Sequence, residues 1–202
     1  RPDLVLCFSD LQAEIAAECA RRGMTVVVFN QRSVAEILGV VLAVGALVGL
    51  EVRARALVEE LQAHLGAVAA AAARLPWRPR VHFEEWDDPL ITAIRWVAEL
   101  VELAGGTYVH PTRCFGHAAR DRVVTADEVV AAKPDVILAS WCGKPVRLDT
   151  IRGREGFATT PAVRSNRVHE LPPSTILQPG PAALGDGLDR MHALIAAAAT
   201  GR

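Results

Sequence analysis

One hexapeptide occurs almost twice in this chain. Arg1-Pro2-Asp3-Leu4-Val5-Leu6 reads nearly as Lys133-Pro134-Asp135-Val136-Ile137-Leu138, and a small polar turn follows each run, Ser9-Asp10 in one case and Ser140-Trp141-Cys142 in the other. Both are short apolar runs without strict alternation, the pattern of parallel strands covered on both faces. Each is therefore expected to be a central strand of an open α/β sheet, and ligands bind such sheets at the carboxyl ends of the strands. The 53 residues from Arg80 up to the second run have no counterpart before the first. If the runs are equivalent elements, the first of two similar lobes is incomplete and a comparable stretch is missing ahead of Arg1.

The remaining pattern fits two such lobes. Leu11, Ile15 and Cys19 mark a helix that stops at Gly23, and Met24 to Phe29 follows as a second buried strand. Ser33 with Glu36 forms a capping box, and nothing but scattered glycine interrupts the helical pattern from Val34 to about Leu75. At 1.5 Å per residue this span would reach about 60 Å, so it is either one long connector or two helices broken near Gly45 to Gly49. Beyond it come a strand at 80–84, a helix at 89–104 with Asp88 as its N-cap, and a short extended piece at 107–109. A helix opened by the box Thr125/Glu128 leads into the echoed strand. A helix near 148–152, a strand at 167–171 and a final helix from Pro181 to Ala199 complete the chain. The fold class is thus α/β: two parallel-sheet lobes joined by a long helix, with 1–33 the partial first lobe, 34–78 the connector and 79–202 the second lobe.

Composition excludes several functions. With 22 basic and 23 acidic residues the chain lacks the electrostatic footprint of a nucleic-acid binder. The uncharged run from Ile37 to Leu50 is shorter than the roughly 20 residues that span a bilayer and reads as a buried helix. Cys7, Cys19, Cys114 and Cys142 show neither a disulfide framework nor zinc spacing. His110, Cys114 and His117 have donor types that bind metals, but they lack an evident fourth ligand and read as a surface loop.

Three segments place unusual residues where second-lobe strands end. In Glu84-Glu85-Trp86-Asp87-Asp88-Pro89, four carboxylates surround a large apolar ring that is no casual loop residue. In Ser140-Trp141-Cys142-Gly143-Lys144-Pro145, an aromatic, a thiol and one of only two lysines follow a strand directly. Gly143-Lys144 lacks the rest of a phosphate-binding loop, and Cys142 has no sequence neighbour to act as its base. The stretch Pro172 to Pro181 is stiffened by four prolines that would hold Ser174, Thr175 and Gln178 in place.

These residues together resemble the periplasmic-binding-protein-like domain of iron-chelate and cobalamin uptake. The likeness rests on Arg1-Pro-Asp-Leu-Val-Leu with Ser9-Asp10, Trp86-Asp-Asp-Pro-Leu followed by Ala104-Gly-Gly106, the run from Val124 to Asp135, and Ala162-Val-Arg-Ser-Asn-Arg-Val168. Ser-Trp-Cys-Gly-Lys and Leu-Gln-Pro-Gly-Pro look like its cobalamin-binding subgroup. The resemblance implies a cleft between two lobes joined by a rigid helix, with Trp86 lining it. It also implies Asp127 as an acidic residue that docks on an ABC transporter permease, and a periplasmic or other extracytoplasmic location. No signal sequence or anchoring Cys is visible, which leaves a cytoplasmic location open. The last loop departs from the cobalamin pattern, reading Pro-Pro-Ser-Thr-Ile-Leu-Gln where an Asp and an Arg are expected.

The leading expectation is a non-enzymatic substrate-binding component of an ABC-type uptake system, with a corrinoid (cobalamin-like) or related metal chelate as ligand and no covalently bound cofactor. Trp86 and Trp141 would face its flat surfaces. Asp87, Asp88, Cys142, Lys144, Ser174 and Gln178 would surround its rim, and Ser9 and Asp10 would close from the first lobe. A second reading is a cytoplasmic enzyme or metal-handling protein using Cys142 or the Asp87/Asp88 pair. A third is a partner-dependent fragment that dimerises through an exposed edge of the incomplete lobe.

Overall fold

The computed structural model describes residues 2–201, so Arg1, which opens the first run, and Arg202 lie outside the described residues. Strand β1 (Val5–Cys7), helix α1 (Ala13–Arg21) and strand β2 (Val26–Val28) form the first lobe, with β1 and β2 parallel and Val5 opposite Val26. Leu6 and Val28 stand exposed on this thin sheet.

The connector is not one rod. Helices α2 (Val34–Leu47) and α3 (Glu51–Ala72) fold back on each other, the broken form of the two that the glycines allow. Gly49 takes the left-handed φ of +70° that ends α2, and the Leu50 amide reaches back to the Gly45 carbonyl at 2.7 Å. Gly45 lets the helices touch, since a Cβ there would lie 2.2 Å from that of Ala54. Ser33 caps α2 as expected: its hydroxyl accepts from the Glu36 amide while the Glu36 carboxylate accepts from the Ser33 amide. Glu99 docks this end on the second lobe by accepting from the Val34 amide at 2.7 Å.

The second lobe begins with β3 (Arg80–Asp87), which runs further than expected and returns as the antiparallel β4 (Leu90–Thr92). Helix α4 therefore starts at Arg95 and extends to Leu103, and Asp88 sits in the turn between strands, not at a helix N-cap. Next come β5 (Thr107–Tyr108), α5 (Ala126–Ala132), β6 (Val136–Ala139), α6 (Leu148–Arg152), α7 (Pro161–Arg164) and β7 (Val168–Glu170). The loop at 172–181 holds a short helix, α8 (Pro173–Ile176), and an irregular turn at 183–187 precedes α9 (Leu188–Thr200). The sheet order is β4-β3-β6-β7, with β5 also on β3, and all pairs except β3–β4 are parallel.

The echoed strand β6 is central, as its uninterrupted apolar run requires, and all four of its residues are buried. Asp135 ahead of it accepts from the Arg80 amide at 2.8 Å and so ties the starts of β3 and β6. One face of the sheet packs Val81, Phe83 and Leu138 under α3, α4 and α9. The other packs Ile137, Trp141, Ile151 and Phe157 under α5 to α7.

Candidate functional site

The carboxyl ends of β1 and β2 face those of the second sheet, and a cleft of about 260 Å³ lies between them. On the first lobe, Ser9 is buried and its hydroxyl accepts from the Leu11 amide at 3.1 Å, while Gln12 Oε1 accepts from the Phe8 amide at 2.6 Å. These bonds fix the turn that carries Asp10. The Arg32 guanidinium, beyond β2, donates to Asp10 Oδ1 at 2.9 Å. From the other lobe, His117 Nε2 meets Asp10 Oδ2 at 3.0 Å. The His117 hydrogen bond foremost, with Arg32 adding its charge, holds the Asp10 carboxyl below its ordinary value.

The second-lobe wall is built on β3 and α4. Glu85 receives both terminal nitrogens of Arg122, at 2.6 and 3.0 Å, and Arg122 also donates to the Thr92 carbonyl at 2.6 Å. Arg122 is only 3% exposed, and its Nε has no partner. Glu85 Oε2 accepts from the Ile94 amide at 3.2 Å, which sets the start of α4 and with it Trp96. The Trp96 indole donates to the Ile176 carbonyl at 3.2 Å, and its ring meets Phe8 edge-on with centroids 6.3 Å apart. Cys142, exposed after β6, and Leu177 complete this wall.

Of the residues expected at the ligand, Ser9, Asp10 and Cys142 line this cleft. Trp141 does not: it is fully buried, its indole donates to Glu84 at 3.1 Å, and neither ring face is open to a ligand. Desolvation pushes the Glu84 carboxyl up, opposed by Arg154, which donates to it at 2.7 Å. Trp86, Asp87, Asp88 and Lys144 form a separate cluster. Lys144 Nζ contacts Asp87 Oδ1 at 2.5 Å and lies 4.0 Å from the Trp86 ring centroid, while the Trp86 indole donates to the Asp88 carbonyl at 3.0 Å. Ser174, within α8, and Gln178, just after it, are exposed beside the cleft residue Leu177. Asp127 is exposed in the first turn of α5.

Phe8, Trp96 and Arg122 are not among the residues the sequence singles out, Glu85 is one of four carboxylates in its segment, and His117 reads there as part of a surface loop. His117 sits in the His110/Cys114/His117 run, whose members take separate partners: His110 faces His82 Nδ1 at 3.2 Å, Cys114 donates to the Pro111 carbonyl, and His117 turns to Asp10. Among the described residues, no three His, Cys, Asp or Glu side chains converge to hold a metal ion.

Two α/β lobes, a helical connector and a cleft at the carboxyl ends of both sheets define a cleft-type binding protein. The profile of the family described as periplasmic binding protein matches residues 1–175, and the chain belongs to that family, whose members bind substrates and are not enzymes. The solved periplasmic heme-binding protein RhuT from Roseiflexus sp. RS-1, in apo form, is similar at 23% identity and a TM-score of 0.83, over 98% of this chain and 77% of that one. Periplasmic heme-binding protein BhuT in complex with two hemes is 25% identical with a TM-score of 0.79, over 98% of this chain and 76% of its own. The vitamin B12 binding protein BtuF of Vibrio cholerae is 19% identical with a TM-score of 0.71, over 98% and 75%. No curated protein matches the sequence.

Proposed function

We propose that the chain binds a flat metal chelate of the tetrapyrrole or corrinoid kind between its lobes and delivers it, outside the cytoplasm, to an ABC transporter permease. In this reading 1–33 and 79–202 are the two jaws and 34–78 is the connector. The observation that carries it is His117, a metal-ligating side chain in the cleft whose Nε2 is held by a carboxylate of the opposite lobe. A carboxylate on one ring nitrogen fixes the tautomer and leaves Nδ1 as the donor, the arrangement that surrounds ligating histidines generally. Such a donor would be able to ligate a chelated iron or cobalt. Phe8, Ile94, Trp96 and Leu177 give the apolar wall that a macrocycle needs, and Arg32 suits an acidic group at its edge.

At 260 Å³ the cleft is small for a macrocycle, so binding parts Phe8 from Trp96 and widens the gap between the lobes. Ser174 and Gln178 then reach the ligand's rim, and Asp127 faces the permease. Catalysis by the Asp87/Asp88 pair fits poorly with Asp87 already paired to Lys144. Titration with hemin, cyanocobalamin and a ferric siderophore, followed by tryptophan fluorescence, tests the reading. One of the three is expected to quench with micromolar or tighter affinity, and failure of all three overturns it.

A further inference from the structure

The uncharged run that begins at Ile37 is only partly buried. Ile37 and Leu38 enter the core, but the tip of the α2–α3 hairpin turns its apolar side chains outward: Leu47, Val48 and Leu50 are about half exposed and Val52 is 84% exposed. The left-handed turn at Gly49 sets Val48 and Leu50 on either side of the bend. An apolar groove of about 370 Å³ adjoins the tip, with Val40, Val44, Val48, Leu50 and Leu57 among its walls and Arg53 beside them. The charged residues from Ile37 to Ala56 are Glu51, Arg53 and Arg55, and neither arginine makes an ion pair among the described residues. No described helix is long and apolar enough to cross a membrane.

We infer that this hairpin tip is a membrane-contact wedge that enters the headgroup boundary of an anionic phospholipid bilayer. Apolar side chains at a protruding bend, bordered by a net positive charge, are the features that seat a segment in the interface. The groove is wide enough to take an acyl chain, and Arg53 and Arg55 are placed to meet lipid phosphates. Charge argues for lipid over a second copy of this chain. A twofold dimer would bring together two patches of the same net positive charge, which opposes association. An anionic surface instead attracts the arginines, which outnumber Glu51. This contact would hold the protein beside a membrane, and it does not depend on what the cleft binds.

Co-sedimentation with vesicles of phosphatidylcholine alone, or of equal parts phosphatidylcholine and phosphatidylglycerol, tests the inference. The protein is expected to pellet with the mixed vesicles, to be released by about 0.5 M salt and to bind neutral vesicles far less. The pair L50D/V52D should weaken binding at least about tenfold, and R53Q/R55Q should remove the preference for anionic vesicles. Thermal unfolding by circular dichroism checks that the variants fold. Should L50D/V52D not fold, V52D alone, at a nearly bare position, is expected to weaken binding about threefold. The inference is overturned if the protein stays in the supernatant with the mixed vesicles or if folded variants pellet as well as the parent. It is also overturned if sedimentation equilibrium shows a dimer that V52D dissolves while vesicles go unbound.

Discussion

His117 Nε2 lies 3.0 Å from Asp10 Oδ2, a bond across 107 residues of sequence that joins the loop after β1 to the loop after β5. A neutral imidazole that donates Nε2–H to the Asp10 carboxylate has Nδ1 as its free donor nitrogen. If that nitrogen ligates the chelated metal, His117→Ala removes the donor and Asp10→Ala removes its orienter. Both are expected to weaken chelate binding, Asp10→Ala by about 10- to 100-fold, the usual cost of losing an outer-shell partner. Titration of the two variants beside the parent checks this. Unchanged affinity in His117→Ala would take the residue out of the site.

The tryptophans separate by position. Trp96 borders the cleft, whereas Trp141 lies in the core with its indole bound to Glu84. Trp96→Phe is expected to remove most of the fluorescence quenching by a bound chelate, and to cost about 1 to 2 kcal/mol because the buried Ile176 carbonyl loses its indole donor. Trp141→Phe should leave the quenching and destabilise the protein by about 2 kcal/mol, since Glu84 loses a buried donor. Urea unfolding and the fluorescence titration together measure both effects. Equal quenching in the parent and in Trp96→Phe counts against the cleft as the binding site.

Much of this architecture was legible because its causes are local. The boxes Ser33/Glu36 and Thr125/Glu128 close within one helical turn, and the apolar run of β6 needs no partner to declare itself buried. β4 was read as helix because Leu90-Ile91-Thr92 is too short to show a period, and only its pairing with β3 makes it a strand. The site was harder to read for the same reason. Trp141 stands where a strand delivers its loop, but only the Glu84 and Arg154 side chains behind it turn the ring inward. His117 looked like a surface residue because its partner lies in the other lobe.

Acid stability depends on three histidines. Burial drives the His82 imidazole well below its ordinary value of 6.5, and His110 and Arg154 add to the effect. His110 and His169 are lowered as well, chiefly by burial. Folded chains therefore keep these rings neutral while unfolded chains protonate them as pH falls through about 6.5, so the unfolded state binds more protons and stability falls with pH. The urea midpoint is expected to drop from about pH 7.5 to about pH 5.5. In His82→Gln the drop should be shallower, whatever the variant's absolute stability. A flat profile in the parent would contradict the buried neutral state.

Arg122 and Glu85 form the floor of the cleft, and their bond is internal to the second lobe. Replacing Glu85 with Ala strands a guanidinium that is almost out of water, with only the Thr92 carbonyl left to accept from it. A buried charge without its counter-ion costs about 3 to 5 kcal/mol. Arg122→Met strands a less buried carboxylate that still accepts from the Ile94 amide, so its cost should be lower. The double variant Glu85→Ala/Arg122→Met buries no unpaired charge and is expected to be more stable than Glu85→Ala alone. Unfolding free energies of the four proteins give the coupling between the residues, at least about 1 kcal/mol for a contact of this kind. Simple additivity would mean that water reaches the guanidinium and that the cleft floor is less closed than its hydrogen bonds imply.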